Sequence, residues 1–251
     1  MIIAVASQKG GVGKTTTAVN LAACLARAGD DVLAVDCDPQ ATMTRQLGIQ
    51  PRADQAGLVD VLAHRADAEN AIIPDVLEGL DMIAAARDLA GVEMSLVAEL
   101  GRERFLIEAL KPIQDRYGVV VLDTPPNLGL LTVNALVGAD VVIAPVSCED
   151  EASVQGLVEL RATMSKLGRL RGDQPQLLTV LTRWVPSRIM SQVIDSSITD
   201  LGMPAVAKVP GRAGVGQAAA ERLPIVLAAP DGCVALAYEH LADRLRVVIS
   251  R

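Results

Sequence analysis

Residues 7–17 read SQKGGVGKTTT. The stretch lies between an apolar β-branched run, IIAVAS (2–7), and a helix-length amphipathic segment, Lys14–Ala28. A glycine-rich turn in that setting, closing on Gly13, Lys14 and Thr15, has the pattern of a phosphate-binding loop. Gly10, Gly11 and Gly13 let the backbone curl around an anion without Cβ clashes, and a helix N-terminus favours negative charge. Lys14 is placed to reach β- and γ-phosphates, and the Thr15 hydroxyl to ligate Mg²⁺. The strict pattern G-x-x-x-x-G-K-[ST] nevertheless fails at its first glycine, where Gln8 stands. A second lysine, Lys9, also needs a role. The competing reading is a tight strand-to-helix turn that happens to hold a lysine, and the rest of the chain weighs against it.

Outward from this loop, apolar strand-length runs alternate with amphipathic helical segments. The expected strands are 2–7, DVLAVD (31–36), LDMIAA (80–85), VVVLD (119–123), DVVIAPV (140–146), QLLTVLT (176–182) and AVAKV (205–209). Helices are expected at Lys14–Ala28, Leu58–His64, Val92–Leu100, Arg102–Arg116, Leu128–Val137, Ser153–Leu167, Ser187–Asp200 and Cys233–Val248. This order predicts an α/β fold with one doubly wound, mostly parallel sheet flanked by helices, residues 1–251 forming a single domain. The chain is 51% hydrophobic but 2% aromatic, so the core must be aliphatic. No run approaches the ~18 apolar residues of a membrane span, and MIIAVAS has no basic n-region. Four cysteines without CxxC spacing predict unpaired thiols in a reducing cytoplasm and argue against zinc or an iron–sulfur centre.

Three carboxylates stand where nucleotide chemistry wants them. VLAVDCDPQ ends a strand with Asp36 and Asp38 on one face, and VVVLDTPP ends another with Asp123. The second is a hydrophobic run closing on the aspartate that holds Mg²⁺ and its waters. Ligands bind beyond the carboxyl ends of parallel strands, and all three aspartates and the glycine loop fall there.

With these motifs in view, KGGVGKTT, DCDPQ and DTPPNLGLLTVNAL, the chain resembles the ParA/MinD family of deviant Walker A ATPases, most closely ParA-type partition ATPases, over most of its length. The resemblance implies Mg²⁺-dependent ATP hydrolysis by a homodimer with ATP sandwiched between its subunits. Lys9 then matches the signature lysine that reaches the phosphates held by the partner, and Gln8 is common before it. The nucleotide contacts implied are Lys9, Gly10, Gly11, Val12, Gly13, Lys14, Thr15 and Thr16, with Thr182, Arg183 and Pro210 near adenine. Lys9, Lys14 and Asp38 would be catalytic, Asp38 orienting the attacking water. Thr15, Asp123 and Asp36 would form the metal site and its support.

The family hosts several functions, and the leading expectation is partition of a plasmid or chromosome, or positioning of a protein cargo. An ATP-bound dimer would bind duplex DNA without sequence preference until a ParB-like or cargo-adaptor partner stimulated hydrolysis. The protein would be cytoplasmic, and nucleoid-associated with ATP. Charge is compatible with this: residues 1–150 balance to −10 and residues 151–251 to +3 within a total of −7. Arg183, Arg188, Lys208, Arg212 and Arg222 are the expected phosphate contacts. One tryptophan and one phenylalanine exclude a base-stacking platform for single strands. The alternative is a MinD-like membrane-associated ATPase, which needs an amphipathic C-terminal helix. YEHLADRLRVVISR has Arg244, Arg246 and Arg251, yet Leu241, Leu245 and Val248 look like a face packed on the body, so membrane binding is disfavoured. A third reading is an enzyme of a related class, such as an iron–sulfur reductase or a ligase-like synthetase; the reductase is disfavoured by the cysteine placement, and a tyrosine kinase by having only Tyr117 and Tyr238.

The chain also departs from the family. ATMTRQLG follows DCDPQ where Gly-Asn-Ala is common, SCEDEASVQGL carries Asp150 and Glu151 where aromatics are common, and Gly211 precedes Arg212 after Pro210. The sequence opens on its first strand without a helix-turn-helix segment, so site-specific operator binding by this chain alone is not expected.

Overall fold

Alternate residues of a strand face opposite sides, so strands apolar on both faces must be covered twice. The described residues of the computed structural model are 1–52 and 54–249, the side chains of 170–171 and 248–249 excepted. The strands are β1 (Ile2–Val5), β2 (Val32–Asp36), β3 (Ile72–Leu77), β4 (Leu80–Ile83), β5 (Val119–Asp123), β6 (Val141–Ser147), β7 (Gln176–Trp184) and β8 (Ala205–Pro210). They lie in the order β3-β4-β2-β5-β1-β6-β7-β8, and every described pair is parallel except β3–β4.

Period-two alternation divides the core. Ile3, Val5, Ala34, Val121 and Ile143 face one helical layer: α1 (Lys14–Arg27), α2 (Thr42–Gln46), and the later α9 (Gly214–Ala220), α10 (Ile225–Ala228) and α11 (Cys233–Ile249). Ala4, Leu33, Val35, Leu122 and Ala144 face the other, formed by α3 (Leu58–Leu62), α4 (Leu89–Leu96), α5 (Phe105–Gln114), α6 (Leu130–Gly138), α7 (Ala152–Arg171) and α8 (Ile189–Asp200). Both layers are aliphatic, as the composition requires. Leu241 and Leu245 of α11 are fully buried, while Val248 and Arg251 lie outside the described side chains. Among the described residues no helix is long and apolar enough to cross a membrane.

The structure corrects the expected elements in three places. Strand β3 was not expected: Pro74 interrupts its pattern, and half-exposed residues show that it is a sheet edge, where a missing N–H is tolerated. A turn at Gly79, with φ of 74°, folds it back on β4. The expected helix Val92–Leu100 is instead Leu89–Leu96, because Met94, Val97 and Leu100 are exposed rather than packed. Helices α2, α9 and α10 have 5, 7 and 4 residues, too short for a 3.6-residue period to declare itself.

This topology fixes where a ligand can lie. β1 sits between β5 and β6, so the chain winds outward in both directions from it, and the crevice beyond its carboxyl end is the natural binding place.

Candidate functional site

The loop after β1 closes on Gly13, whose φ of 92° is left-handed and where a Cβ would stand 3.5 Å from the Thr182 side chain, an ordinary contact. Gly11 is also left-handed, with φ of 75°. α1 begins with no side-chain cap and no acidic residue in its first turn. Its first N–H groups and the positive end of its dipole are thus left for an anion. Two hydroxyls pin the loop from neighbouring strands: Thr124 donates to the Val5 carbonyl at 2.9 Å, and Thr182 to the Val12 carbonyl at 2.8 Å.

Lys14 is buried, and its Nζ donates to the Lys9 carbonyl at 3.3 Å. Burial lowers its pKa, while the carboxylates of Asp123 and Asp38 pull it back up. Those carboxylates come from the expected strand ends. Asp36 of β2 and Asp123 of β5 are paired directly across the sheet. Asp123 is wholly buried, and among the described residues neither of its oxygens has a hydrogen-bond partner within ordinary bonding distance, the Thr15 hydroxyl lying nearby. Burial, then the charge of Asp36, push it well above the usual carboxylate range, against the pull of the Thr15 hydroxyl and the Lys14 ammonium. Two orphaned carboxylate oxygens beside a threonine hydroxyl, within reach of the charges of Asp36, Asp38 and Lys14, form a hard oxygen-donor set short of positive charge. A magnesium ion fits that chemistry.

Asp36 is engaged differently. Its Oδ2 accepts from the Thr44 N–H at 2.9 Å and the Thr44 hydroxyl at 2.8 Å, and its Oδ1 accepts from the Asp38 N–H at 3.1 Å. Burial still raises its pKa to about 6. Asp36 therefore ties the start of α2 and the Asp38 loop to the sheet. Asp38, nearly buried, has one oxygen held by the Gln40 N–H at 2.8 Å. Ala41, just after this loop, adopts the left-handed region, with φ of 50°. Thr44 gave no sequence signal; its role appears only once α2 folds back, its hydroxyl also accepting from the Ala85 N–H at 3.2 Å. Thr44→Val keeps the shape but leaves Asp36 and Ala85 each short of a partner. It is expected to cost about 2–3 kcal/mol, seen as a lower denaturant midpoint at unchanged slope. An unchanged midpoint would remove Thr44 from the network.

At the far end of the loop a cleft of about 370 Å³ joins Gly13 and Thr16 to Thr182, Arg183 and Pro210, so the three expected adenine contacts meet at one place. Gln46 of α2, Arg212, Val215 and Gly216 also line it, and the buried Tyr238 of α11 closes its floor. The Tyr238 hydroxyl lies 3.4 Å from that of Thr17. None of these was expected at the base cleft, Arg212 having been expected as a DNA contact, since they come from short helices and the C-terminal segment.

Lys9 does not turn toward its own loop. Its ammonium pairs with Asp150, in the segment between β6 and α7, and its side chain keeps 27% of its exposure. That pairing holds the Asp150 carboxyl below its ordinary range. Gly156 of α7 packs near the Lys9 backbone, where a Cβ would stand 3.8 Å from the amide nitrogen. Of the expected DNA contacts, Arg183, Arg188 and Arg212 gather around one hollow beside this segment. Lys208 stands apart, paired with Asp195 and lying over the Trp184 ring. Arg222 packs beside Gly48, at the other end of α9. The four cysteines are free, three of them buried.

Comparison with known proteins agrees with this geometry. A family model described as an AAA domain matches residues 1–175. The chain is 47% identical over 163 residues to the sporulation initiation inhibitor protein Soj of Bacillus subtilis, covering 65% of this chain and 64% of that one. It is 43% identical over 174 residues to the chromosome partitioning protein ParA of Caulobacter vibrioides, covering 68% and 64%. The chain thus spans just under two thirds of the length of these relatives. A crystal structure of cobyrinic acid a,c-diamide synthase from Mycobacterium smegmatis, with bound ATP analog and magnesium, superposes with a TM-score of 0.83 at 32% identity, over 97% of this chain and 93% of that one.

Proposed function

The chain belongs to the ParA/MinD family of P-loop ATPases, and we propose on that premise that it is a ParA-type switch. ATP would lie with its phosphates on the α1 N-terminus and its base in the cleft at Thr182, Arg183 and Pro210. Thr15 and Asp123 would hold Mg²⁺, Asp123 through water, with Asp36 supporting the network behind Asp38. An ion held by these residues would offset negative charge on the phosphates. Asp38 orients the attacking water, and Lys14 holds the phosphates of its own subunit.

The observation that carries this reading is the direction of Lys9. A lysine at the mouth of a phosphate loop, turned to the surface and held by a carboxylate of its own chain, suits a residue that acts on another subunit. Released from Asp150, it would reach the nucleotide of the partner and offset transition-state charge there. Two subunits joined this way present the arginines of both on one surface. Duplex DNA would bind it through its phosphates until a ParB-like or cargo-adaptor partner stimulated hydrolysis. A synthase reading would leave Lys9 without employment. The membrane-associated alternative is disfavoured, since Leu241 and Leu245 of α11 are buried in the core.

Duplex affinity measured with ATP, with ADP and without nucleotide tests the switch. Sequence-independent binding is expected with ATP, at least about tenfold tighter than in the other states and falling steeply with salt. Equal affinity in all three states would overturn the partition reading.

A further inference from the structure

The segment joining β6 to α7 carries two adjacent carboxylates with different partners. Asp150 holds Lys9. Glu149, one residue earlier, holds two arginines: its Oε2 pairs with Arg183, and its Oε1 lies 3.9 Å from Arg188 Nη1. The segment is anchored from below, Cys148 N–H donating to the Thr182 carbonyl at 2.9 Å, and Asp150 Oδ1 accepts from the Ala152 N–H at 2.8 Å where α7 begins.

The two arginines are built into place from other elements. Arg183 takes a left-handed backbone, with φ of 53°, where the β7–β8 register shifts. Gly211 lets the exit of β8 pass so close that a Cβ there would stand 3.2 Å from Arg183 Cα, which brings Arg212 to the same hollow. That hollow, of about 300 Å³, has three guanidinium groups against the single carboxylate of Glu149. Among the described residues Arg212 is in no ion pair, so it is already available to an anion. Guanidinium forks match phosphate oxygens in geometry and charge. The anion occupying this hollow without DNA is the protein's own Glu149.

We infer that Glu149 is a gate on the DNA-backbone site, acting by occupying Arg183 and Arg188 in place of a phosphate. This rests on the duplex-binding reading above and adds its control. Because Glu149 and Asp150 are consecutive, the departure of Lys9 toward a partner subunit loosens the same short segment that holds the arginines. The gate opens as the dimer forms. Exposed ion pairs are weak, so it is a soft gate that biases the two states rather than locking one.

The test is Glu149→Gln, compared with Glu151→Gln, which removes a neighbouring charge that has no ion pair among the described residues. Duplex affinity is measured for wild type and both variants with ATP, with ADP and without nucleotide, across a salt series. Glu149→Gln is expected to raise affinity about fivefold without ATP, roughly what two exposed ion pairs together can supply, and to leave the ATP state nearly unchanged. Its salt slope without ATP should steepen by about two, one for each freed arginine. Glu151→Gln should shift all states alike and slightly. A rise for Glu149→Gln that is the same in every state, or matched by Glu151→Gln, would overturn the gate and leave duplex binding standing. Failure of wild type with ATP to bind duplex at all would instead overturn that reading, and the gate with it.

Discussion

Lys14→Ala protein is expected to lose ATP, its dissociation constant rising by about 10²–10³-fold. The effect follows from where the ammonium sits. Lys14 is buried against Asp123 and Asp38, and burial already disfavours its charge. Removing it leaves Asp123 and Asp38 without the cation beside them and takes away the group that would face the phosphates. Breaking one partner of a buried charge cluster costs on the order of 3–5 kcal/mol, and the lower part of that range, about 3–4 kcal/mol, corresponds to the fold-change stated. Titration with a fluorescent ATP analogue reads it directly. Affinity within a few-fold of wild type would place the phosphates elsewhere than at the α1 N-terminus.

Asp38→Ala should behave in the opposite way, keeping ATP and failing to use it. Asp38 is held by Asp36 through its N–H and by Gln40 through Oδ1, which fixes its carboxylate in the crevice without engaging Lys14 in a hydrogen bond. Loss of the group that orients water should lower turnover by about 10²–10³, with ATP affinity changed little. The uncleaved complex then accumulates as dimer. On that background Lys9→Ala should return the protein to monomer, read by light scattering after size exclusion. Wild-type turnover in Asp38→Ala would remove it from the chemistry, and a dimeric double variant would return Lys9 to an ordinary loop residue.

Much of this was legible because the chemistry lies in short contiguous letters at strand ends. Gly10, Gly11, Gly13, Lys14, Thr15, Asp36, Asp38 and Asp123 could be placed from the loop motif and the alternation of runs, and the structure sets Lys14 beside Asp38 and Asp123, with Asp36 paired to Asp123 across the sheet. What stayed hidden depended on contacts between distant segments. The use of the Asp36 oxygens is set by Thr44, eight residues on and in a five-residue helix. Glu149 meets Arg183 and Arg188 only because β6 lies beside β7. The edge strand β3 was masked by Pro74, and α4 was drawn too far by Met94, Val97 and Leu100, apolar residues that stay in water. Periodicity reports burial, and it misleads where apolar residues are not buried.

The scarcity of aromatic residues has an optical consequence. Trp184 is the single indole of the chain, at the end of β7, with the Lys208 ammonium 4.5 Å from its ring centre. Its carbonyl accepts from the Gly211 N–H, and Pro210 pairs with it across the sheet, so it stands at the seam between the base cleft and the arginine hollow. The tyrosines are engaged elsewhere, Tyr117 donating to Asp81 and Tyr238 buried behind Thr17. Emission excited at the red edge of the indole band therefore comes from one place. Any rearrangement that moves Lys208 or the turn at Gly211 changes the field on that ring, and the unlabelled protein carries its own reporter of the seam.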